Sequence, residues 1–273
     1  MTYPLTALIS DLHSNWPALE TALADARERN VRRFVCLGDM IGYGAKPTEC
    51  LDQVLRLCGP AAASEGLEPG LCLQGNHEFA LLSSGEDFNP NARRAIDWTR
   101  EELNRAGDKQ RSYAYWDFLS ALEPLLVENG AMYAHGSPRD PVREYLLPRD
   151  ARDTAKMQAN FARMRHHAGE RAYVCFVGHS HVPGIFYEDG RFYRPKGTEG
   201  PYDLGDLSKS RAIINVGSVG QPRDGDKRLS YAVFDGHNVT FVRLEYDVQR
   251  AQDDIRSIPE LPGHLADRLA LGQ

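Results

Sequence analysis

The sequence lacks the features that mark several protein classes. Its five cysteines form no CxxC pair, which disfavours an iron–sulfur or cysteine-ligated zinc site and is typical of reduced core residues in a cytoplasmic protein. It has no basic excess, because the formal net charge is −6 at pH 7, so a broad surface for binding nucleic acid is not expected. No apolar stretch approaches the roughly 20 residues that span a bilayer, and no signal peptide precedes the first strand-like run. These absences predict a cytoplasmic protein without a membrane anchor.

The pattern of apolar residues predicts an α/β fold. Hydrophobic residues make up 42% of the 273 residues, which is enough for a sizeable core. Helices are predicted from Asn15-Trp16-Pro17 and from Pro47, and more helices follow in the middle of the chain. The predicted strands are 5–10, 33–37, 71–74, 125–127, 131–134, 173–177, 184–187, 192–193, 212–216, 231–234 and 239–244. This order favours two mixed β-sheets packed face to face with helices outside, in a single domain (1–273) with a core of about 5–246 and a tail at 256–273.

Polar motifs follow five of the predicted strands. They are Asp11-Leu12-His13, Gly38-Asp39, Gly75-Asn76-His77-Glu78, His135-Gly136 and Gly178-His179-Ser180-His181. In open α/β sheets ligands bind at the carboxyl ends of the strands, so these side chains are expected to converge. Asp, Asn and His offer the oxygen and nitrogen ligands that suit Mn, Fe, Co or Zn. Two adjacent dications repel each other, so we expect Asp39 to bridge them, next to a water molecule that the metals convert to a hydroxide nucleophile.

The ordered motifs resemble those of the calcineurin-like metallophosphoesterase superfamily. The stretch 215–225 is similar to the bacterial branch of small phosphoesterases, which extends the resemblance to most of the chain. The resemblance implies a four-layer α/β/β/α sandwich and two divalent or trivalent metal ions, with Mn, Fe, Zn or Co as candidates. It implies that the ligands of the first metal are Asp11, His13 and His181, that those of the second are Asn76, His135 and His179, and that Asp39 bridges the two.

The resemblance also implies a catalytic role for His77, which would stabilise the leaving oxygen or donate a proton to it. Glu78 would then orient and charge-stabilise His77. Small bacterial members usually have Asp at this position, whereas Glu is typical of the Ser/Thr protein phosphatases. The arginine signature that those phosphatases carry after the bridging Asp is absent here, since Asp39 is followed by Met40-Ile41-Gly42-Tyr43-Gly44.

Other residues must therefore bind the substrate phosphate. Arg139 and Arg223 are the first candidates, because a guanidinium binds phosphate oxygens bidentately, and Asn15 is another. The alternative for an arginine in a polar loop is a surface ion pair of little energetic value.

The predicted function is hydrolysis of phosphate esters by in-line attack of a metal-bridging hydroxide. The expected substrate is a small phosphate ester or a phosphopeptide, with phosphomonoesters favoured over diesters such as cyclic nucleotides. A non-catalytic metal-binding scaffold and a nuclease for single-stranded nucleic acid are alternatives. Intact motifs disfavour the scaffold, and the acidic balance disfavours the nuclease.

Two further segments carry interpretations. The polar stretch 194–210 is long for a loop, which favours either a lid over the substrate entrance or a surface excursion. His166 and His167 follow Arg163 and Arg165 and are interpreted as the solvated C-terminus of a helix.

Overall fold

Two six-stranded sheets form the centre of the protein in a computed structural model that describes residues 3–83, 88–165 and 171–273. The strands are numbered along the chain. The first sheet has the order β3 (Leu71–Cys72), β2 (Arg33–Cys36), β1 (Thr6–Ile9), β11 (Leu229–Phe234), β12 (Asn238–Leu244) and β9 (Glu199–Asp203). The second has the order β4 (Leu125–Glu128), β5 (Ala131–Ala134), β6 (Val174–Val177), β10 (Ala212–Asn215), β7 (Gly184–Tyr187) and β8 (Phe192–Tyr193). Both sheets mix parallel and antiparallel pairs, so the predicted fold class is confirmed.

Helices cover the outer faces of the two sheets. They are α1 (Trp16–Glu28), α2 (Pro47–Cys58), α3 (Asn76–Leu82), α4 (Pro90–Arg105), α5 (Lys109–Ser120), α6 (Thr154–Arg165), α7 (Val248–Arg256) and α8 (His264–Asp267). Single 3-10 turns occur at Pro60–Glu65, Pro148–Arg152 and Arg268–Leu271. None of the helices in the described part of the chain combines the length and the apolar composition that a bilayer crossing requires.

The alternation of side chains along β1 explains the layers. Ala7 and Ile9 point to one face and pack in a cluster with apolar residues of α1 and α2. Leu8 points to the other face and packs with residues of the second sheet such as Phe176 and Ile214. The outer face of the second sheet packs on α6, where Phe161 is buried. The layers therefore follow the order helix, sheet, sheet, helix.

The parallel direction of neighbouring strands places the turns with the polar motifs close together. β1, β2 and β3 are parallel neighbours, and so are β5, β6 and β10. The carboxyl ends of each set therefore lie at one edge of their sheet. The five polar motifs come directly after strands of these sets, so they lie at the same edges.

The structure differs from the sequence-based expectation in one segment. The stretch 194–210 is not a continuous loop, because β9 lies within it and pairs with β12 at the edge of the first sheet. His166 and His167 lie outside the described residues. All five cysteines are free.

Candidate metal centre

Four imidazole rings meet where the carboxyl ends of the two sheets come together. The Nε2 atoms of His13 and His181 lie 3.3 Å apart. The Nε2 atom of His135 lies 3.0 Å from the Nδ1 atom of His179. All four rings are buried, with at most 3% of any residue exposed.

Backbone carbonyls fix the orientation of each of these rings. The outward-facing nitrogens of His13, His135 and His179 lie 3.2, 3.0 and 3.2 Å from the carbonyl oxygens of Ile41, Leu37 and Arg143, respectively, and Nδ1 of His181 contacts the carbonyl of Gln221. A carbonyl oxygen only accepts, so the ring proton belongs on the outward nitrogen, and the inward nitrogen presents a lone pair. Two lone pairs at about 3 Å repel each other unless a proton or a metal cation lies between them. The donor set therefore fits metal ions.

Two buried carboxylates complete the cluster of charges. Asp39 Oδ2 lies 3.3 Å from His135 Nε2 and 3.8 Å from His13 Nε2, which places it between the two pairs of rings. Asp11 Oδ1 lies 3.1 Å from His181 Nε2 and, though fully buried, has no hydrogen-bond partner in the described part of the chain. Asn76 Oδ1 lies 3.0 Å from His135 Nε2.

The structure thus brings all seven predicted ligands together. Asp11, His13 and His181 form one group of possible ligand atoms, and Asp39, His135 and His179 form another. A third group combines His13 and Asp39 with His77. The role of these residues as ligands, and their division between two metals, stay predictions.

The charges of the site suit cations at neutral pH. Burial alone would raise the pKa of Asp39, but the rings of His135 and His77 hold it well below its ordinary value. Burial lowers the pKa of His179 to about 3, so this ring is neutral at pH 7 and keeps its inward lone pair. Burial would lower the pKa of His135, but the charge of Asp39 beside it raises this pKa to about 9. The metal-free site therefore offers ionised carboxylates, a neutral His179 and a protonated His135 whose proton a metal cation would replace.

Backbone strain is concentrated in the same turns. Among the described residues that are not glycine, nine have a positive φ, and five of these are predicted ligands: Asp11, His13, Asp39, His179 and His181. Non-glycine residues adopt this conformation only when the surrounding structure holds them there, and such residues cluster at functional sites. The fold therefore stabilises an unfavourable backbone in order to aim these side chains inward.

His77 lies in a buried aromatic environment beside the ligands. Its ring centroid is 4.7 Å from that of His13, 4.5 Å from that of Tyr43 and 5.0 Å from that of Phe88. Its Nε2 is 4.0 Å from Asp39 Oδ2, and its Nδ1 has no hydrogen-bond partner among the described residues. Burial lowers the pKa of His77 to about 4, so the ring is neutral at pH 7 in this structure.

The prediction that Glu78 orients His77 is wrong. The Glu78 carboxylate accepts hydrogen bonds from backbone N–H groups instead: Oε2 from Asp39 and Gly75 at 2.8 and 2.9 Å, and Oε1 from Met40 at 2.8 Å. Burial and the charge of Asp39 raise the pKa of Glu78 to about 7, whereas these N–H groups favour its ionised form. Glu78 therefore holds the turn that carries Asp39.

Gly42 leaves the space that the His77 ring occupies. A Cβ atom at Gly42 would lie 2.1 Å from His77 Nδ1, and the backbone there has φ +84°. We expect Gly42→Ala to displace the ring and to reproduce the effect of His77→Ala, a fall in turnover of about 100- to 10,000-fold with the metals retained. Steady-state kinetics and elemental analysis of both variants check this. Loss of metal in parallel with activity in His77→Ala would instead make His77 a ligand.

Two of the predicted substrate ligands have structural roles. Asn15 is the N-cap of α1, where its Oδ1 accepts from Ala18 N at 3.2 Å and its Nδ2 donates to Gly220 O at 2.7 Å. Arg139 is paired with Glu144, with Nε 2.9 Å from both carboxylate oxygens. Contrary to the prediction, the structure gives Asn15 a capping role and Arg139 the ion pair that was its alternative.

Arg223 is the predicted phosphate ligand that lies at the site. Its backbone N–H donates to the carbonyl of His181 at 3.4 Å, and its guanidinium carbon is 5.9 Å from the centroid of the Tyr43 ring. This arginine is half-buried, and its guanidinium donates to the amide oxygen of Gln221 at 2.8 Å.

The entrance contains side chains that the sequence did not indicate. The exposed ring of Tyr145 stacks on His179 with 3.7 Å between the centroids, and Tyr43 packs against His13 at 4.8 Å. Arg268, from the tail, also has its guanidinium carbon 5.9 Å from the Tyr43 ring centroid. Tyr43 lies in the turn after β2, four residues beyond Asp39. No motif points to Tyr145 or Arg268, because each reaches the site through packing and not through a strand end.

Comparison with known proteins gives concordant results. The family profile described as the calcineurin-like phosphoesterase superfamily domain matches residues 5–238. An uncharacterized protein of Methanocaldococcus jannaschii is 34% identical, with both chains covered completely. The crystal structure of a metallophosphoesterase from Sphaerobacter thermophilus is similar with a TM-score of 0.77 and 36% identity, covering 99% of this chain and 100% of that one. A hypothetical protein from Pyrococcus horikoshii OT3 shares the fold at 17% identity, with a TM-score of 0.75 and 98% of each chain covered.

Proposed function

Because the chain belongs to the calcineurin-like phosphoesterase superfamily and is a phosphoester hydrolase, we propose that it is a dinuclear metal-dependent phosphomonoesterase. The observation that carries this proposal is the pair of imidazole contacts at 3.3 and 3.0 Å, with Asp39 between them. Mn, Fe, Zn and Co all suit these ligands. When bound, such metals make water nucleophilic at neutral pH and neutralise phosphoryl oxygens.

The protein's own residues bind the substrate and assist the leaving group. Arg223 is placed to bind phosphoryl oxygens through its guanidinium. Burial lowers the pKa of His77 to about 4, so the neutral ring donates a hydrogen bond to the leaving oxygen. Tyr145, stacked on His179, limits the width of the entrance. We expect a small phosphate ester or a phosphopeptide as the substrate, and the five free cysteines support a cytoplasmic location.

The positive entrance favours a monoester over a diester. A phosphomonoester carries up to two negative charges at neutral pH and a diester carries one, so guanidinium groups at the entrance interact more strongly with the monoester. A diesterase is the second candidate, because membership of the phosphoesterase family does not fix the number of ester groups on the phosphorus.

The position of β9 limits how much of the stretch 194–210 can act as a lid over the substrate entrance. Thr198 Oγ1 donates to the carbonyl of Arg243 at 3.1 Å, near the end of β12 that lies at the same edge of the sheet as the ligands. However, β12 and β11 separate β9 from β1. We propose that the start of this stretch forms part of an outer rim of the substrate entrance.

A comparison of substrates tests the function. Metal-loaded protein is assayed in parallel with p-nitrophenyl phosphate, its bis-ester, 2′,3′-cyclic nucleotides and a phosphopeptide. We expect kcat/KM for the monoester to exceed that for the bis-ester by at least about tenfold, which corresponds to about 1.4 kcal/mol. His237→Ala is a matched control, since His237 is exposed and paired with Asp203 at a turn. A reversed ratio identifies a diesterase, and no turnover of any substrate supports the scaffold.

A further inference from the structure

The tail of the chain is fixed to the loop that carries Arg223. The carbonyl of Gly272 accepts a hydrogen bond from Gly225 N at 3.0 Å. Leu269 is buried in an apolar cluster with residues of α7 and α8, and Tyr43 packs against that cluster. Arg268 lies next to Leu269 in the final 3-10 turn, so this packing fixes the position of its side chain at the entrance.

Arg268 and Arg223 contact the same aromatic ring. Each guanidinium carbon lies 5.9 Å from the centroid of Tyr43. That centroid is 4.8 Å from the His13 ring and 4.5 Å from the His77 ring. The two cations are therefore one aromatic side chain away from the site where the phosphate would bind.

Acidic side chains do not neutralise this pair within the described parts of the chain. Arg223 donates to the amide oxygen of Gln221 at 2.8 Å. Arg268 Nε donates at 2.6 Å to a main-chain oxygen of Gln273, whose terminal carboxylate supplies one negative charge beside the two guanidinium groups. By contrast, nearby Arg228 is paired with Asp226.

The two like charges oppose each other. Burial and the positive charge of Arg223 lower the pKa of Arg268. Because the protein as a whole has a net charge of −6, this local excess of positive charge is not a general property of its surface. An anion bound between the two groups would offset their repulsion.

We propose that Arg268, together with Arg223, binds a second anionic group of the substrate, beside the phosphate that is hydrolysed. The proposal rests on the proposed function and narrows it to phosphate esters that carry another phosphate or phosphate-like group within a few bonds of the first. Guanidinium groups suit this role, because each offers a planar pair of N–H donors to phosphate oxygens.

Calorimetric titration tests this proposal without catalysis. Metal-loaded wild type, Arg268→Ala and Arg256→Ala are titrated with methylphosphonate and with 1,3-propylenediphosphonate, whose P–C bonds resist hydrolysis. Arg256 is the control, because it is an exposed arginine at the end of α7 and is paired with Asp267. Wild type and Arg256→Ala are expected to bind the diphosphonate about 10- to 100-fold more tightly than the monophosphonate. This ratio is what one or two additional charge-assisted hydrogen bonds would give. In Arg268→Ala this preference is expected to fall to less than about threefold.

The outcomes separate the two proposals. A preference that is absent in wild type, or that persists in Arg268→Ala, overturns the second anionic site. An equal loss of affinity for both ligands in Arg268→Ala also overturns it, since that result indicates that Arg268 only supports Tyr43. If the preference depends on Arg268 but wild type hydrolyses no phosphate ester, the anionic site stands and the proposed function fails.

Discussion

Replacing Asp39 with Asn is expected to abolish metal binding and phosphatase activity together. Asp39 Oδ2 is the carboxylate oxygen between the two pairs of rings, 3.3 Å from His135 and 3.8 Å from His13. An amide preserves the size of the side chain and can still accept from His77 N, as Oδ1 does now at 2.9 Å. What is lost is the negative charge that offsets the repulsion between two dications.

Mutating a residue that only supports a ligand typically lowers metal affinity about 10- to 100-fold. Asp39 is itself the predicted ligand, so metal affinity in Asp39→Asn should fall by more than about 100-fold. Elemental analysis after dialysis and turnover of p-nitrophenyl phosphate measure the two losses. Asp97→Asn is the control, because Asp97 is exposed on α4 and pairs only with arginines of that helix. A variant that keeps both metals at full occupancy would remove Asp39 from the bridging position.

Glu78→Gln is expected to destabilise the fold as well as the metal centre. Its two carboxylate oxygens accept from the N–H groups of Asp39, Met40 and Gly75 at 2.8 to 2.9 Å, and Glu78 is completely buried. An amide would direct a donor towards at least one of these N–H groups. A buried unsatisfied polar group costs about 1–3 kcal/mol, so we expect the free energy of unfolding to fall by about 2 kcal/mol or more.

Urea denaturation of the metal-free protein at pH 8 measures this effect, because the Glu78 carboxyl, with a pKa of about 7, is mostly ionised at that pH. Glu101→Gln is the control, since Glu101 forms an exposed pair with Arg105 on α4. This measurement separates two roles of Glu78, support of the turn that carries Asp39 and orientation of His77. If Glu78 acted only by orienting His77, Glu78→Gln would lose activity as His77→Ala does, but its free energy of unfolding would be unchanged.

The local pattern of the chain was sufficient for the architecture and for the ligand types. The apolar run that becomes β1 alternates between the helix layer and the second sheet, as Leu8 and Ile9 illustrate, because side chains along a strand point to opposite faces. Edge elements were harder to predict. β9 has only half-buried or exposed residues, so its pairing with β12 leaves little apolar pattern in the sequence.

The sequence by itself determined which residues could bind metals, since Asp, Asn and His after apolar strands carry that chemistry wherever the strands lie. Only the tertiary structure decided how the neighbouring polar groups are used. Asn15 caps a helix, Arg139 pairs with Glu144, and Glu78 binds backbone N–H groups, because those partners lie within reach only after folding. Arg268 reaches Tyr43 from the far end of the chain by the packing of the tail, and a contact that depends on packing between distant segments leaves no local pattern in the sequence.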